Sequence, residues 1–296
     1  MLSWSRSIGL RTFCASATSN HESFALVKGK AASKKWLEAS FPNCKVKIPP
    51  RSPPFQFDHV LFDMNHLLHC MSRDAKDAQT VCKRVFREVD YMLQKFIPLK
   101  SVVLTFDGPG PIAKIRKQIE SREKKPSKMR SSGIGSIDIT PGTRFMYQVR
   151  ELCLMHVAHR LDAKRKFQDV SFYISCSDVA GEGELKLMEW IHTFVEKKSQ
   201  DTILFIGGDS DLTIQSLALR DLPHVYLFDT NLEHANKGKQ VAASHFFSLA
   251  QLKSELEMQF PHQSDLVRAD LMLLIIFNGN DYLPKLKCFN LPCSFQ

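Results

Sequence analysis

Long hydrophobic runs are missing from this 296-residue chain: the longest strongly apolar stretch, Leu271 to Phe277, is far short of the roughly 20 residues that a membrane-spanning helix needs. No membrane partner is expected. The eight cysteines form no C-x-x-C pair, which argues against a disulfide framework and for reduced intracellular thiols. Cys288 and Cys293, the closest pair near an end, have no ligands beside them for zinc. No internal repeat is present, and no acid precedes Glu22. Arg6 and Arg11 among many Ser, Thr and Ala give the first twenty residues a transit-peptide-like composition, with an untargeted N-terminal extension as the equal alternative.

A hydrophobic content of 44% with 24% charged residues places the chain among globular proteins and makes disorder an unneeded assumption. The formal net charge of +9 favours polyanionic partners, because clustered Lys and Arg attract phosphate and release its counterions.

Ser33 to Pro42 reads as a short helix and Ile48 to Pro54 as a linker. From Phe57 onward, strands are predicted near Val60–Phe62, Val102–Phe106, Val170–Ile174, Ile203–Ile206 and Val225–Phe228. Helices are predicted over Ala75–Phe96, Pro141–Leu161, Glu182–Glu196, Leu212–Leu219 and Phe246–Phe260, with a buried helix over Leu266–Phe277. Glu123 to Asp138 reads as a basic, mobile loop. Strands alternating with helical segments predict an α/β fold, a largely parallel sheet with helices on both faces. Right-handed crossovers then bring the strand carboxyl ends to one edge, where ligands of open α/β sheets bind.

The acids fall at that edge. Asp63 ends the first predicted strand, Asp107 follows the second, Glu182 and Glu184 the third, and Asp209 with Asp211 the fourth; Asp281 follows the last helix. Residues two apart do not share a helical face, so Glu182/Glu184 and Asp209/Asp211 are expected in turn or extended backbone, which Gly181, Gly183, Gly207 and Gly208 permit. Each acid alone has a plainer account: a helix N-cap for an Asp after a strand, a helix-dipole partner for the glutamates, a turn residue for Asp281. Those accounts leave the coincidence of position unexplained. Gathered carboxylates repel one another unless cations neutralise them, and oxygen-only ligands suit Mg²⁺ or Mn²⁺. Two such ions about 3.5–4 Å apart serve phosphodiester hydrolysis.

These acids sit in segments that resemble the blocks of the 5′→3′ exoribonuclease (XRN) family: Phe62-Asp63-Met64-Asn65 with His69, Phe106-Asp107-Gly108 followed by Pro111 and Lys114, Ile139-Thr140-Pro141-Gly142-Thr143, Gly181-Glu182-Gly183-Glu184, Gly208-Asp209-Ser210-Asp211-Leu212, and Gly279-Asn280-Asp281-Tyr282-Leu283-Pro284. Trp36-Leu37 through Phe41-Pro42 is similar to the family's opening helix, so the likeness runs over roughly residues 33 to 286. It implies a PIN/flap-nuclease-like fold and Mg²⁺ ligands at Asp63, Asp107, Glu182, Glu184, Asp209, Asp211 and Asp281. It further implies a 5′-monophosphate pocket at Lys114, Gln118 and Arg122, and stacking of the first base on His69. The implied substrate is single-stranded RNA bearing a 5′-monophosphate, degraded from that end. The implied compartment is nucleus or cytoplasm.

Ser121 stands where relatives carry a further Arg of the phosphate pocket, so a weaker hold on that group is expected. Residues 1–32 read as an extension and 33–296 as the nuclease domain, shortened on its C-terminal side. A flap-type DNA nuclease, and a truncated paralogue that binds nucleic acid without cutting it, are the alternative readings.

Overall fold

Alternate residues of the central strands feed two separate cores, and this sorts the helices to the two faces of the sheet. The computed structural model describes residues 30–49, 52–112, 115, 134–135, 137–163, 167, 169–208, 210–219, 221–230, 244–279, 283 and 286. Seven strands are described: β1 (Lys45–Ile48), β2 (Phe55–Asp63), β3 (Phe96–Thr105), β4 (Ser171–Ser175), β5 (Ile203–Ile206), β6 (Val225–Phe228) and β7 (Ser244–Ser248). Eight α-helices accompany them: α1 (Lys30–Ser40), α2 (Met64–Met71), α3 (Ala78–Lys95), α4 (Arg144–Ala163), α5 (Gly183–Phe194), α6 (Ser210–Ser216), α7 (Leu249–Gln259) and α8 (Ser264–Phe277).

The strands lie in the order β1-β7-β6-β5-β2-β3-β4. Strands β2 to β6 are mutually parallel, whereas β7 runs antiparallel to both β6 and β1. From β2 the chain builds outward through β3 and β4, then crosses back to place β5 on the other side of β2. Between β2 and β5 the winding reverses, and ligands of open α/β sheets bind at such a switch point, at the strand carboxyl ends.

Val60, Phe62, Val102, Leu104, Leu204 and Ile206 join one core with α2, α3 and α4. Their neighbours Leu61, Val103, Ile203 and Phe205 join the other, against α1, α5, α6, α7 and α8. Helix α3 shows why its residues are helical: Asp77 Oδ1 accepts from Thr80 N at 2.7 Å to cap it, and Val81, Val85, Val89 and Met92 bury one stripe.

The predicted bounds of β5 and β6 coincide with the observed ones. β2 and β3 extend further toward their amino ends than their apolar centres indicate. Two strands were not anticipated. β1 is an edge strand whose Lys45 and Lys47 break the apolar signal, as edge strands do. β7 replaces the start of the helix expected from Phe246: Phe246 packs into one core and Phe247 into the other, while Ser248 Oγ accepts from Gln251 N at 3.2 Å to begin α7. Helix α8 departs from the expected buried helix, since it buries Ser264, Arg268, Leu271 and Ile275 but exposes Leu266 and Leu273. The N-terminal extension up to residue 29 and most of the basic loop lie outside the described residues.

The opposite end of the sheet is closed by a polar clasp. Asp58 N donates to Thr202 Oγ1 at 2.9 Å, and Thr202 returns its N–H and hydroxyl to Asp58 Oδ2 at 2.9 and 3.0 Å. Lys100 bridges Asp58 and Asp201, and His59 lies 3.1 Å from both Ser101 Oγ and Asp201 Oδ2. Burial pushes both aspartates up, but bonds from Thr202 and Lys100 to Asp58, and from Lys100 and His59 to Asp201, outweigh it and hold each carboxyl below its ordinary value. A carboxyl depressed in the folded state adds stability above its unfolded pKa of about 3.9, and that stability is lost as pH falls toward the folded value. Urea unfolding below about pH 4 should therefore show falling stability, and the Asp58→Asn/Asp201→Asn double variant should show a flatter acid limb than the parent.

Candidate metal centre

Asp63 closes β2, a central strand of the sheet, and only 4% of the residue's surface is exposed. Its backbone is extended and its Oδ1 accepts from Asn65 N at 3.2 Å, so it also caps α2. The capping account of this residue is thus correct as far as it goes, and it leaves Oδ2 outside that bond. Asn65 Oδ1 in turn accepts from Asp107 N at 3.2 Å, and Thr105 Oγ1 donates to Phe62 O at 3.2 Å. These bonds tie the carboxyl ends of β2 and β3 together.

Asp107 is held at the amino terminus of α5, where Gly183 N donates to its Oδ1 at 2.7 Å. A charge-assisted bond to a helix N-terminus is a favourable place for a carboxylate. Gly183 sits close against the aspartates: a Cβ there would lie 3.2 Å from Asp63 Oδ1, a tight contact, and at ordinary contact distance from Asp107 Oδ1 at 3.4 Å and Thr105 Oγ1 at 3.5 Å. Both aspartates therefore border the same point of the α5 backbone. Glu182 and Glu184 flank that point and are 3% and 5% exposed. The expected turn geometry holds for Glu182, an extended N-cap that makes no side-chain capping bond, whereas Glu184 already lies in the first helical turn.

The approach of α5 depends on the loops beneath it. Gly108 N donates to Gly181 O at 2.8 Å and Gly181 N to Pro109 O at 3.1 Å, a reciprocal pair. A Cβ on Gly108 would sit 1.6 Å from Val179 O, so no other residue fits without moving the loop. Lys186 finishes the join. Its Nζ donates to Phe106 O at 2.8 Å and Cys176 O at 2.9 Å, binding α5 to the ends of β3 and β4. Burial pulls this ammonium below its ordinary pKa, with Asp107 the leading opposing influence.

On the other side of the switch point, a Cβ on Gly207 would meet Leu212 Cδ2 at 3.1 Å and Asp63 Cβ at 3.3 Å. The exit of β5 thus passes directly beside Asp63. Asp211, 8% exposed, stands in the first turn of α6 just beyond it. His69 is exposed in the last turn of α2. Asp209, Asp281, Lys114, Gln118 and Arg122 lie outside the described residues. Among the described residues, no three His, Cys, Asp or Glu side chains are grouped closely enough to form a metal cage by themselves.

Sequence reasoning gave no role to Asn65, Thr105 or Lys186. Asn65 and Thr105 act only through partners on neighbouring strands, which no local pattern reveals. Lys186 carried one usable signal, a cation four residues after Glu182 on a helix that the acids open.

The ionisable side chains nearest Gly183 at the exits of β2 and β3 and the start of α5, Asp63, Asp107, Glu182 and Glu184, are carboxylates, a set suited to hard divalent ions. Fold and site together define an α/β domain with an acidic centre at the switch point of its sheet. The family described as the XRN 5′-3′ exonuclease N-terminus matches residues 29–133 and 120–230, and the chain belongs to that family. The 5′-3′ exoribonuclease 1 of Schizosaccharomyces pombe is 26% identical over 291 aligned residues, which take in 85% of this chain and 22% of the relative. Its counterpart in Saccharomyces cerevisiae is 27% identical over 78% of this chain and 18% of the relative, and that of Homo sapiens 24% over 85% and 17%. The chain thus spans no more than 22% of the length of these relatives. Among solved structures, the catalytic core of Rad2 in complex with DNA aligns with a TM-score of 0.49 at 15% identity, over 88% of this chain and 66% of that one.

Because Lys186 satisfies two carbonyls inside the protein, Lys186→Met should leave both without a donor and cost about 1–3 kcal/mol of stability. Urea titration of parent and variant measures this, and an unchanged midpoint would show that the lysine does not hold α5 in place.

Proposed function

We propose that the chain is the catalytic part of a Mg²⁺-dependent 5′→3′ exoribonuclease that hydrolyses single-stranded RNA carrying a 5′-monophosphate, with Mn²⁺ able to replace Mg²⁺. The observation that carries this reading is the convergence of Asp63 and Asp107 on Gly183, between Glu182 and Glu184, in a member of the XRN family. Asp63, Asp107, Glu182, Glu184 and Asp211, with Asp209 and Asp281, would hold the divalent ions. Bound there, hard cations supply charge neutralisation at the scissile phosphate and lower the pKa of attacking water.

The chain's own groups do the rest. The Gly183 N–H and the α5 terminus keep Asp107 aimed at the centre, and Asn65 fixes the spacing between Asp63 and Asp107. Lys114, Gln118 and Arg122 would grip the terminal phosphate, with Lys and Arg supplying charge and the amide a further donor. His69 would stack on the first base and so measure one nucleotide from the bound end. Names of the relatives support RNA as the substrate.

Incubated with Mg²⁺ and end-labelled RNA, the chain should release mononucleotides from 5′-monophosphorylated strands faster than from 5′-hydroxyl strands. Asp63→Asn and Asp107→Asn should each lower the rate by roughly a hundredfold or more. Equal cutting of circular and linear RNA would rule out exonuclease polarity, and preference for flap DNA would overturn the substrate assignment. Absence of hydrolysis with either metal would leave a nucleic-acid-binding chain without turnover.

A further inference from the structure

The two rims of the sheet are built differently. Strand β1 forms one rim and carries Lys45 and Lys47, whereas β4, Ser171-Phe172-Tyr173-Ile174-Ser175, forms the other with no charge, no proline and no bulge in its pairing with β3. Charged or interrupted edges keep strands from pairing with other chains, and β4 has neither device. Ser171 is exposed and the four residues after it are half-buried.

The free side of β4 follows from the bonds on its other side. Phe106 N donates to Ser175 O at 2.9 Å, so Ser175 turns its main-chain groups toward β3, and by alternation Tyr173 and Ser171 do the same. Phe172 and Ile174 then turn their N–H and C=O outward. Among the described residues, nothing bonds those four groups. The helices stand inboard of the rim: α5 packs over β2 and β3, and α4 against α3, which leaves room for an approaching strand. An aromatic patch flanks the edge on one face. Tyr173 lies with Trp190 and Phe194 there, the ring centroids of Tyr173 and Phe194 are 4.9 Å apart, and Phe194 is 56% exposed at the end of α5.

We infer that β4 is a docking edge for a second copy of this chain, the two strands pairing antiparallel about a two-fold axis at Tyr173. The edge is self-complementary in that register. Ser171 faces Ser175 of the second copy, Phe172 faces its Ile174, and Tyr173 faces its own counterpart. Hydroxyl, aromatic with β-branched, and aromatic pairs are all favourable across antiparallel strands, and no like charges meet. Phe172 and Ile174 exchange both main-chain bonds across the axis, so every outward group of each copy finds a partner. A contact made by the same patch on both copies closes as a dimer and does not propagate. The net charge of +9 on each copy opposes association, but the edge itself is neutral, and salt at physiological strength screens the rest beyond about 8 Å. One strand pair with its aromatic flank is smaller than a permanent interface, so the dimer is a weak one, with a dissociation constant on the order of tens of micromolar. Antiparallel pairing sets the carboxyl ends of one sheet beside the amino ends of the other. The two acidic centres then open on opposite sides and neither is covered, so the inference stands apart from the proposed catalysis.

The test is sedimentation velocity on the full chain without RNA, from about 2 to about 200 µM, a range that brackets the expected dissociation constant. The parent should pass from monomer to dimer over this range and stop there. The double variant Ser171→Lys/Ser175→Lys sets lysine opposite lysine at both ends of the paired strands and should weaken the dimer by roughly tenfold. The double variant Ser171→Lys/Ser175→Glu sets lysine opposite glutamate in the same register and should restore association to about the parent level. Urea midpoints of both variants report that the fold is kept. A parent that stays monomeric overturns the inference and leaves the edge to a segment of another protein. A dimer that the paired lysines do not weaken lies on another surface and also overturns it, as does failure of the lysine and glutamate combination to recover what the paired lysines lose.

Discussion

Gly183 brings the amino terminus of a helix close to aspartates that leave two different strands, and a single methyl group at that position would press on Asp63 and touch Asp107. Buried carboxylates are costly unless charge or hydrogen bonds compensate them. Here the compensation comes from backbone: the Gly183 N–H serves Asp107, and the Asn65 N–H serves Asp63. Closeness and compensation come from the same glycine-led helix start. Reciprocal loop bonds at Gly108 and Gly181, and a lysine driven beneath the helix, hold that start in place.

The sheet makes this local arrangement possible. Crossing from β4 back to β5 places two strand exits on either side of Asp63, so that acids far apart in the chain meet without any long side chain having to reach. Two independent cores, one per face, allow the edge to stay polar while every central strand is buried. The polar clasp of Asp58, His59, Lys100 and Asp201 fastens the same strands at their other ends, well away from the acids.

Much of this was readable beforehand, for definite reasons. β5 and β6 are short apolar runs bounded by polar residues, and α3 has a strong periodic stripe behind a capping aspartate, so periodicity alone located them. β1 and β7 escaped because a lysine-bearing edge strand and a His-Phe-Phe segment leading into a helix carry no period of their own; pairing between them supplies the order. Around the candidate site, Asp63, Asp107, Glu182 and Glu184 stand out in the sequence because strand ends and glycines mark them. Asn65, Thr105 and Lys186 do not, since each acts by bridging segments that lie far apart along the chain.

Asp63 would have two duties that share one carboxylate: the proposed hold on a cation, and the observed bond by which its Oδ1 starts the helix that carries His69 at its far end. Shortening this side chain would remove the charge and also loosen α2, so a loss of turnover in an alanine variant could not be traced to chemistry alone. The isosteric amide keeps an oxygen for the Asn65 N–H and surrenders only the charge. In the proposed function, cation binding at Asp63 and base stacking at His69 would therefore be mechanically coupled through one residue, and only substitutions that preserve its shape could separate them.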